Sequence, residues 1–326
     1  MTRRGLCAMA VPFMRADATA RCPDRLRRRS LRRGNPVVQN ESSRRPPRHS
    51  SSSRGKWCMT RLHDRCVLLT GASQGIGPFI AAALAGRGCH LALTARSEQL
   101  LREVAGRLDG LSVDVGIFPC DLLEADQRTS LIHEVLERFG RVDILVNNAG
   151  VENEGPFLDQ TLEVHRRTIE LNLVAPVELT HALLPTLLAQ GGGHIVNIAS
   201  IGAKAGSPYD AVYCGSKAGL AEWTRGISLE EELAGIRFST IFPGFVTEVG
   251  MFARFGLKAP WTIGSCTPEQ VAAAVVEALE RNLPEIIVNS RPLKPLLALA
   301  ALSPRLAGWL MHRLGVVDFQ RRKVGR

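Results

Sequence analysis

The chain has 326 residues, 45% of them hydrophobic, so it can bury one large core or two small ones. Its net charge of +10 is concentrated in residues 1–60, which hold 15 Lys and Arg against 3 Asp and Glu. That leaves 26 of the 41 basic and 28 of the 31 acidic side chains for the remaining 266 residues, a net charge of −2. Because the body of the chain is near neutral, we expect no nucleic-acid partner.

Residues 1–58 are rich in Arg, Ser and Pro, as in "RLRRRSLRRG", and lack periodic apolar positions. Such a segment cannot offset the entropy of ordering, so we expect it to be disordered. An organelle transit segment, a nucleic-acid or membrane tether, and an overlong gene start all match this composition. Met59 stands just before the first predicted strand, which favours an overlong start or a cleavable extension.

The eight cysteines form no C-x-x-C pair and have no His at metal-ligand spacing. We therefore expect no metal site. Scattered reduced thiols are typical of an intracellular protein, so the sequence predicts a cytoplasmic location, with organelle targeting by residues 1–58 as the alternative.

After the tail, apolar runs alternate with amphipathic segments. Strands are predicted for "CVLLTG" (66–71), "CHLALTA" (89–95), "VDVGIFPCD", "RVDILVNNAG", "GHIVNIAS", "IRFSTIFPG" and "EIIVNS". Helices are predicted between them, with long ones near 160–190, 211–235 and 267–281. Continuous Val, Ile and Leu strands between helices indicate a parallel sheet covered on both faces. The predicted fold class is α/β, a single-domain, Rossmann-like, doubly wound parallel sheet of about seven strands over residues 59–290.

The stretch "TGASQGIG" (70–77) follows the first strand and opens the first helix. A glycine-rich turn at this place lets the backbone approach a pyrophosphate, while the helix N-terminus faces the anion. The pattern predicts a dinucleotide site with contacts from Gly71, Ser73, Gln74, Gly75, Ile76 and Gly77.

Cofactor choice is predicted from the end of the second strand, "ALTARSEQ", where Ala95 and Arg96 replace an acidic side chain. Arg96 can pair with a 2′-phosphate, so NADP(H) is the predicted cofactor and NAD(H) the alternative. Under that alternative, Arg96 is a solvated helix-start residue and selectivity is loose.

Two further stretches fit the same site. Asp121, followed by Leu122 in "CDL", can accept a hydrogen bond from an adenine amino group or cap the next helix. "NNAG", with Asn148, Ala149 and Gly150, ends the fourth strand at the carboxyl edge, where ligands of such sheets bind.

Seven motifs occur in one order: "TGASQGIG", "CDL", "NNAG", "ELNLVAP", "NIAS", "YCGSK" and "PGFVTE". In this ordered set, residues 62–290 resemble the short-chain dehydrogenase/reductase family, of a carbonyl reductase or alcohol dehydrogenase type. The resemblance implies four catalytic residues: Asn172, Ser200, Tyr213 and Lys217. It also implies hydride transfer between the nicotinamide C4 and a carbonyl carbon, with Tyr213 donating the proton.

The spacing supports these roles. Tyr213 and Lys217 lie four residues apart on one helix face, and an ammonium beside a phenol is expected to lower the phenol pKa from about 10. Ser200 ends the fifth strand and can hydrogen-bond a substrate oxygen. The resemblance implies that Asn172 holds a water connecting Lys217 to solvent and that Lys217, with Tyr213, also contacts the cofactor.

After Pro243 and Gly244 comes "FVTEVGMFARFGLKAPWTIG", which in this family covers the substrate. The expected cofactor contacts here are Pro243, Gly244, Val246 and Thr247, and the expected substrate contacts are Ser200, Tyr209, Phe245, Met251 and Phe252. The segment is expected to form an apolar lid, which predicts a lipophilic ketone, 3-oxoacyl, steroid or retinoid-like substrate; its apolar side chains are Phe245, Met251, Phe252, Phe255, Leu257 and Trp261. Alternatively, several of these side chains only anchor the loop.

The C-terminal extension, residues 291–326, is apolar with a basic fringe, and its apolar runs are shorter than the ~20 residues of a spanning helix. It is expected to lie on a membrane surface, to pack as a helical hairpin or to cover the substrate entrance. The resemblance also implies a homodimer or homotetramer. The alternative function is a non-catalytic nucleotide-binding regulatory protein, against which the intact catalytic set argues.

Overall fold

The computed structural model describes residues 61–325, so the expectations for residues 1–58 lie outside it and stay predictions. The strands of this range are β1 (Cys66–Thr70), β2 (His90–Ala95), β3 (Val115–Pro119), β4 (Ile144–Asn147), β5 (Gly193–Ile198), β6 (Ile236–Pro243), β7 (Phe245–Val246), β8 (Ser265–Cys266) and β9 (Glu285–Val288). Its helices are α1 (Gly77–Ala85), α2 (Glu98–Gly106), α3 (Ala125–Phe139), α4 (Leu162–Ile169), α5 (Ala175–Ala189), α6 (Ala211–Ile227), α7 (Gly250–Ala253), α8 (Pro268–Arg281), α9 (Lys294–Leu302), α10 (Pro304–Arg313) and α11 (Val316–Lys323).

Seven strands form one sheet in the order β3-β2-β1-β4-β5-β6-β9, and every neighbouring pair is parallel. The predicted doubly wound α/β fold is therefore confirmed. The strand order changes direction between β1 and β4: β2 and β3 lie on one side of β1, and β4, β5, β6 and β9 lie on the other. In parallel sheets of this kind, a crevice for ligands opens beside this point at the carboxyl ends of the strands.

Alternate side chains of β1 point to opposite faces of the sheet, as strand geometry requires. Val67 and Leu69 join a core cluster with α1, α2 and α8, whereas Leu68 joins a second cluster with α3 and α5. All five residues of β1 are buried, because helices cover both faces of this central strand.

A π-helical turn, Glu170–Val174, joins α4 to α5, so Leu162–Ala189 is continuously helical. Among the described residues this is the one helix long and apolar enough, by length and composition alone, to cross a membrane. In the fold its α5 portion packs Leu183 and Leu187 fully into the core against the sheet.

Two local features differ from the sequence-based prediction. Helix α6 ends at Ile227 rather than near residue 235. The chain then turns, leaving Leu229 exposed and burying Leu233, and returns to the sheet at the start of β6. The two-residue strands β7 and β8, which pair with each other, were not predicted, because strands this short have no detectable periodicity.

Candidate active site

A cleft of about 1570 Å3 opens at the carboxyl edge of the sheet. It brings together most of the residues predicted from the sequence: Gly71, Ser73, Gln74, Gly75, Ile76, Arg96, Asp121, Leu122, Asn148, Ala149, Gly150, Ser200, Tyr213, Lys217, Pro243, Gly244, Phe245, Val246, Met251 and Phe252. Gly77, Asn172, Tyr209 and Thr247 do not line the cleft.

The turn between β1 and α1 requires glycine at two places. Gly71 has φ of +62°, and a Cβ there would lie 2.8 Å from the Ala149 Cα. A Cβ on Gly77 would lie 2.2 Å from the Gly71 carbonyl oxygen. Gly77 therefore packs beneath the turn and lets the helix start close to the strand, while the turn itself faces the cleft.

The end of β4 holds this turn in place. Asn148 Nδ2 donates to the carbonyl oxygens of Thr70, at 2.9 Å, and Gly71, at 3.0 Å. The Thr70 hydroxyl in return accepts from the backbone N–H groups of Asn148, at 2.9 Å, and Ala149, at 3.0 Å. These bonds tie together the two strands between which the sheet order reverses.

The side chains expected near an adenosine 2′-phosphate and adenine lie at the neighbouring strand ends. Arg96 follows β2, is exposed to the cleft, and makes no side-chain bond or ion pair with any residue of 61–325. Asp121 Oδ1 accepts from the Leu123 N–H at 3.1 Å, a local turn bond, while the N-cap of α3 is Glu124. Asp121 is therefore not the N-cap of that helix.

The predicted proton-transfer residues meet on the other side of the cleft. Tyr213 and Lys217 lie one turn apart on α6, are buried, and line the cleft. The Tyr213 phenol and the Ser200 hydroxyl share a hydrogen bond. Lys217 Nζ donates to the Ile198 carbonyl oxygen at 2.8 Å.

Asn172 lies behind this group in the π-helical turn and is completely buried. Its Oδ1 accepts from the Val151 N–H at 2.8 Å, and its Nδ2 donates to the Val151 carbonyl at 2.9 Å and to Ser216 Oγ at 3.0 Å. A Cβ on Gly150 would lie 3.1 Å from Asn172 Oδ1 and 3.2 Å from Lys217 Nζ. Asn172 thus fixes the irregular segment that follows β4 against Lys217, and the predicted water link stays a prediction.

Burial shifts the two ionisable groups in opposite directions. Desolvation lowers the pKa of Lys217 to about 8. Desolvation also raises the pKa of Tyr213 well above its usual value, and the charge of Glu152 raises it further, while the Ser200 hydrogen bond lowers it. The lowering of the Tyr213 pKa expected from Lys217 is therefore not found: the pKa is raised, and burial is the largest cause. Tyr213 is protonated at neutral pH, the form that can donate a proton.

The C-terminal helices form one wall of the cleft. Side chains of α9 and α10, among them Leu297, Ala300 and Met311, line it together with Leu314. In the described part of the extension, residues 291–325, side chains line the cleft, as the entrance-covering alternative expects, and α9 and α10 also pack against each other as in a hairpin. Contact with a membrane surface stays a prediction.

The last helix brings aromatic and charged side chains that the sequence analysis missed. Phe319 packs edge-on against Phe245, with ring centroids 5.5 Å apart. Lys323 Nζ lies 3.1 Å from Glu152 Oε1 and also pairs with Glu154. The carboxylates of Glu152, Glu154 and Asp210 lie within 4.8 Å of one another. The only sequence signal for this group was the pair of acidic residues after "NNAGV", Glu152 and Glu154. Nothing in the sequence predicts that they pair with Lys323, which is 171 positions after Glu152.

Two expected contacts point elsewhere. Tyr209 has φ of +63°, and its phenol hydrogen-bonds Arg321 on α11. The Thr247 hydroxyl donates to the Cys266 carbonyl oxygen at 3.3 Å. Both therefore act here as local contacts that attach the extension and the segment after β6.

Comparison with known proteins gives the same assignment as the geometry. Residues 65–258 match the family model described as short chain dehydrogenase. The chain belongs to the short-chain dehydrogenase/reductase family. It is 36% identical over 271 residues to "Ketoacyl reductase HetN" of a Nostoc species, a match that covers 82% of this chain and 94% of that protein.

Other family members are similarly close. Human "Dehydrogenase/reductase SDR family member 7" is 31% identical over 286 residues, covering 83% of each chain. A solved alcohol dehydrogenase from Thermococcus sibiricus, complexed with 5-hydroxy-NADP, has a TM-score of 0.62 and 31% identity, covering 71% of this chain and 99% of that one. Membership of this oxidoreductase family, with a nucleotide-binding Rossmann-like fold, is thus established.

Replacing Gly71 with alanine tests the turn. The Cβ would clash with Ala149 in a left-handed backbone conformation, so we expect a cost of about 1–3 kcal/mol in unfolding free energy and roughly tenfold weaker NADPH binding by fluorescence titration. Gly106→Ala is the matched control, because its Cβ meets no atom within 4 Å. Equal NADPH affinity in the two variants would contradict the assignment of the turn.

Proposed function

We propose that the protein is an NADP(H)-dependent oxidoreductase acting on CH–OH groups, which interconverts a lipophilic ketone or 3-oxoacyl compound and its alcohol. The observation that carries the proposal is the placement of Tyr213, hydrogen-bonded to Ser200 and one helical turn from Lys217, in a cleft with an apolar wall. A protonated, buried phenol beside a second hydroxyl group supports proton delivery to a developing alkoxide here.

The residues of the cleft divide the reaction between them. NADPH, when bound, supplies the hydride to the carbonyl carbon. Ser200 orients the carbonyl oxygen, and Tyr213 gives its proton to that oxygen as negative charge develops on it. Lys217, held by the Ile198 carbonyl, provides a cation near the tyrosinate that results. In the alcohol-oxidising direction the same proton returns to Tyr213.

Two features of the cleft support NADP(H) as the cofactor. The Gly71 to Gly77 turn presents backbone N–H groups at the start of α1, which suits a pyrophosphate. Arg96 has no other partner among the described residues and suits a 2′-phosphate. Two similar solved proteins, the T. sibiricus dehydrogenase and a metagenomic short-chain oxidoreductase, carry NADP or a derivative of it.

A lipophilic substrate is supported by the wall that the C-terminal helices add to the cleft. Leu296, Leu297 and Leu310 line it, as do Phe245 and Met251. A chain of methylene groups would bury apolar surface against this wall. The Nostoc relative named ketoacyl reductase points to the same class of substrate.

The partners and location predicted from the sequence remain proposals. Exposed Leu302 and Trp309 on α9 and α10 support peripheral membrane contact beside the cleft. A homodimer or homotetramer in the cytoplasm is the expected state. If the protein converts no ketone or alcohol, the alternative function is favoured, a nucleotide-binding regulatory protein without turnover.

Tyr213→Phe removes the proton donor while keeping the ring. We expect kcat for ketone reduction with NADPH to fall about 100- to 10 000-fold with NADPH binding unchanged. Tyr209→Phe removes the only other tyrosine hydroxyl and should leave kcat within a few-fold of the parent. Comparable losses in both variants would rule out the assigned role of Tyr213.

Arg96→Asp tests the cofactor preference. Replacing the cation with an anion should raise KM for NADPH about 10- to 100-fold and lower KM for NADH, because the 2′-phosphate is then repelled and a ribose hydroxyl is accepted. Arg107→Asp makes the same charge change at the exposed C-cap of α2 and serves as the control. An unchanged NADPH/NADH ratio in Arg96→Asp would exclude this residue as the determinant.

Ala300→Leu narrows the apolar wall. We expect KM for long-chain ketones to rise about tenfold or more, with a smaller change for short ones, since added methylene volume displaces the chain. Ala298→Leu makes the same change on α9 at an exposed position that does not line the cleft, and it should have no effect. An equal effect of both variants at every chain length would place the substrate elsewhere.

A further inference from the structure

The family's four catalytic positions leave a group of buried charges beside Tyr213 unexplained. Glu152 and Asp210 line the cleft, and Glu154 lies beside them with its side chain 5% exposed. Lys323, near the end of the described chain, reaches this group with a side chain that is 2% exposed. Charges are rarely buried to this extent without a compensating partner, so the cluster forms a unit.

Each member of the unit is connected to the next. Lys323 Nζ pairs with Glu152 Oε1 at 3.1 Å and with Glu154. Glu152 shares a hydrogen bond with Asp210, and burial together with the charge of Glu152 raises the pKa of Asp210 well above its usual range. The raised pKa favours the protonated form of Asp210, in which its carboxyl can donate to Glu152. The remaining carboxylates, Glu152 and Glu154, are the ones that need the Lys323 ammonium.

This unit acts on the phenol of Tyr213. Asp210 is the N-cap residue of α6, three positions before Tyr213. Among the charged groups around the phenol, Glu152 has the largest effect on its pKa and raises it. Lys217 lies on the same helix, and Lys204 lines the same cleft but is paired with Glu285.

We propose that Lys323 is a positioning residue for proton transfer at Tyr213: its ammonium holds the Glu152 carboxylate and cancels part of the negative charge beside the phenol. The C-terminal helix thereby contributes to the reaction as well as to the cleft wall. This inference rests on the proposed function, because it assigns the affected proton to the reaction.

The packing of Lys323 allows a clean substitution. Its ammonium lies 5.7 Å from the ring centroid of Phe245 and 5.0 Å from that of Phe255, so the side chain is enclosed by aromatic surface. Lys323→Met keeps the unbranched apolar stem against these rings and removes only the charge. Arg322→Met removes the same charge from an exposed neighbour on α11 and is the matched control.

The first measurement is the pH profile of kcat/KM for alcohol oxidation with NADP⁺, in which Tyr213 must be deprotonated. Without Lys323 the negative charge of Glu152 disfavours the tyrosinate, so Lys323→Met should move the rising limb to higher pH by about one unit, a tenfold weaker ionisation. Glu152→Gln should move it to lower pH. Arg322→Met should leave it unchanged, and Lys323→Arg should restore the parent profile.

A second measurement needs neither substrate nor cofactor. The chain has two tyrosines, so in a Tyr209→Phe background the tyrosinate absorbance reports Tyr213 alone. At the highest pH at which circular dichroism shows the fold intact, the ionised fraction should be largest with Glu152→Gln and smallest with Lys323→Met. The effect of Lys323→Met should shrink when Glu152→Gln is also present, because the charge that Lys323 compensates is gone.

The two measurements separate the two hypotheses. If the parent protein converts no alcohol or ketone but the tyrosinate order holds, the proposed function fails and the electrostatic link stands. If Lys323→Met behaves like Arg322→Met in the tyrosinate titration, the link is overturned whatever the activity. If Lys323→Met does not fold, Glu152→Gln alone tests the electrostatic link. An unchanged ionised fraction of Tyr213 in Glu152→Gln would then overturn the link.

Discussion

The hydroxyl of Thr70 joins the two strands between which the cleft opens, and the rest of the site depends on that connection. By accepting two backbone N–H groups from Asn148 and Ala149, it fixes the start of the segment 148–154 at the end of β1. The same segment then packs Gly150 against Lys217 and holds Asn172 through Val151. One and three residues after Val151, Glu152 and Glu154 present carboxylates to Lys323. One short stretch of backbone thus sets the distances among the nucleotide turn, the catalytic lysine and the C-terminal helix.

Burial determines the chemistry of the catalytic pair. Taking Tyr213 and Lys217 out of water favours the neutral form of each, which leaves a protonated phenol and an ammonium whose pKa falls to about 8. For the phenol to give up its proton and recover it, the surrounding charges must make the tyrosinate accessible. Ser200 contributes a hydrogen bond in that direction, while Glu152 acts in the other. The balance at Tyr213 therefore depends on three parts of the chain: Glu152 after β4, Ser200 after β5, and helix α6 itself.

The sequence predicted those parts of the fold that depend on neighbouring residues alone, such as apolar runs and glycine turns. Apolar runs located every strand of the main sheet, and the glycines of 70–77 located the turn whose conformation only glycine adopts without strain. The end of α6 was missed, because residues 228–235 leave the helix to bury Leu233 in the distant core. Tyr209 looked like a pocket residue, but its left-handed backbone conformation and its bond to Arg321 turn it away from the cleft. The sign of the Tyr213 pKa shift was also missed, since helical spacing reveals the nearby lysine but not the burial of the phenol.

The C-terminal extension contributes both apolar side chains and a positive charge to the cleft. Its α9 and α10 carry apolar side chains to the cleft, and its α11 carries Lys323 to the carboxylates beside the catalytic phenol. Phe319 and Lys323 lie one turn apart on α11, and both contact Phe245, which lines the cleft. Helix α11 thus brings both an aromatic contact and a positive charge to the cleft. Under the proposed function, a substrate long enough to contact α9 and α10 would be held by the same C-terminal extension whose Lys323 is proposed to act on Tyr213, so binding and proton transfer would depend on one segment.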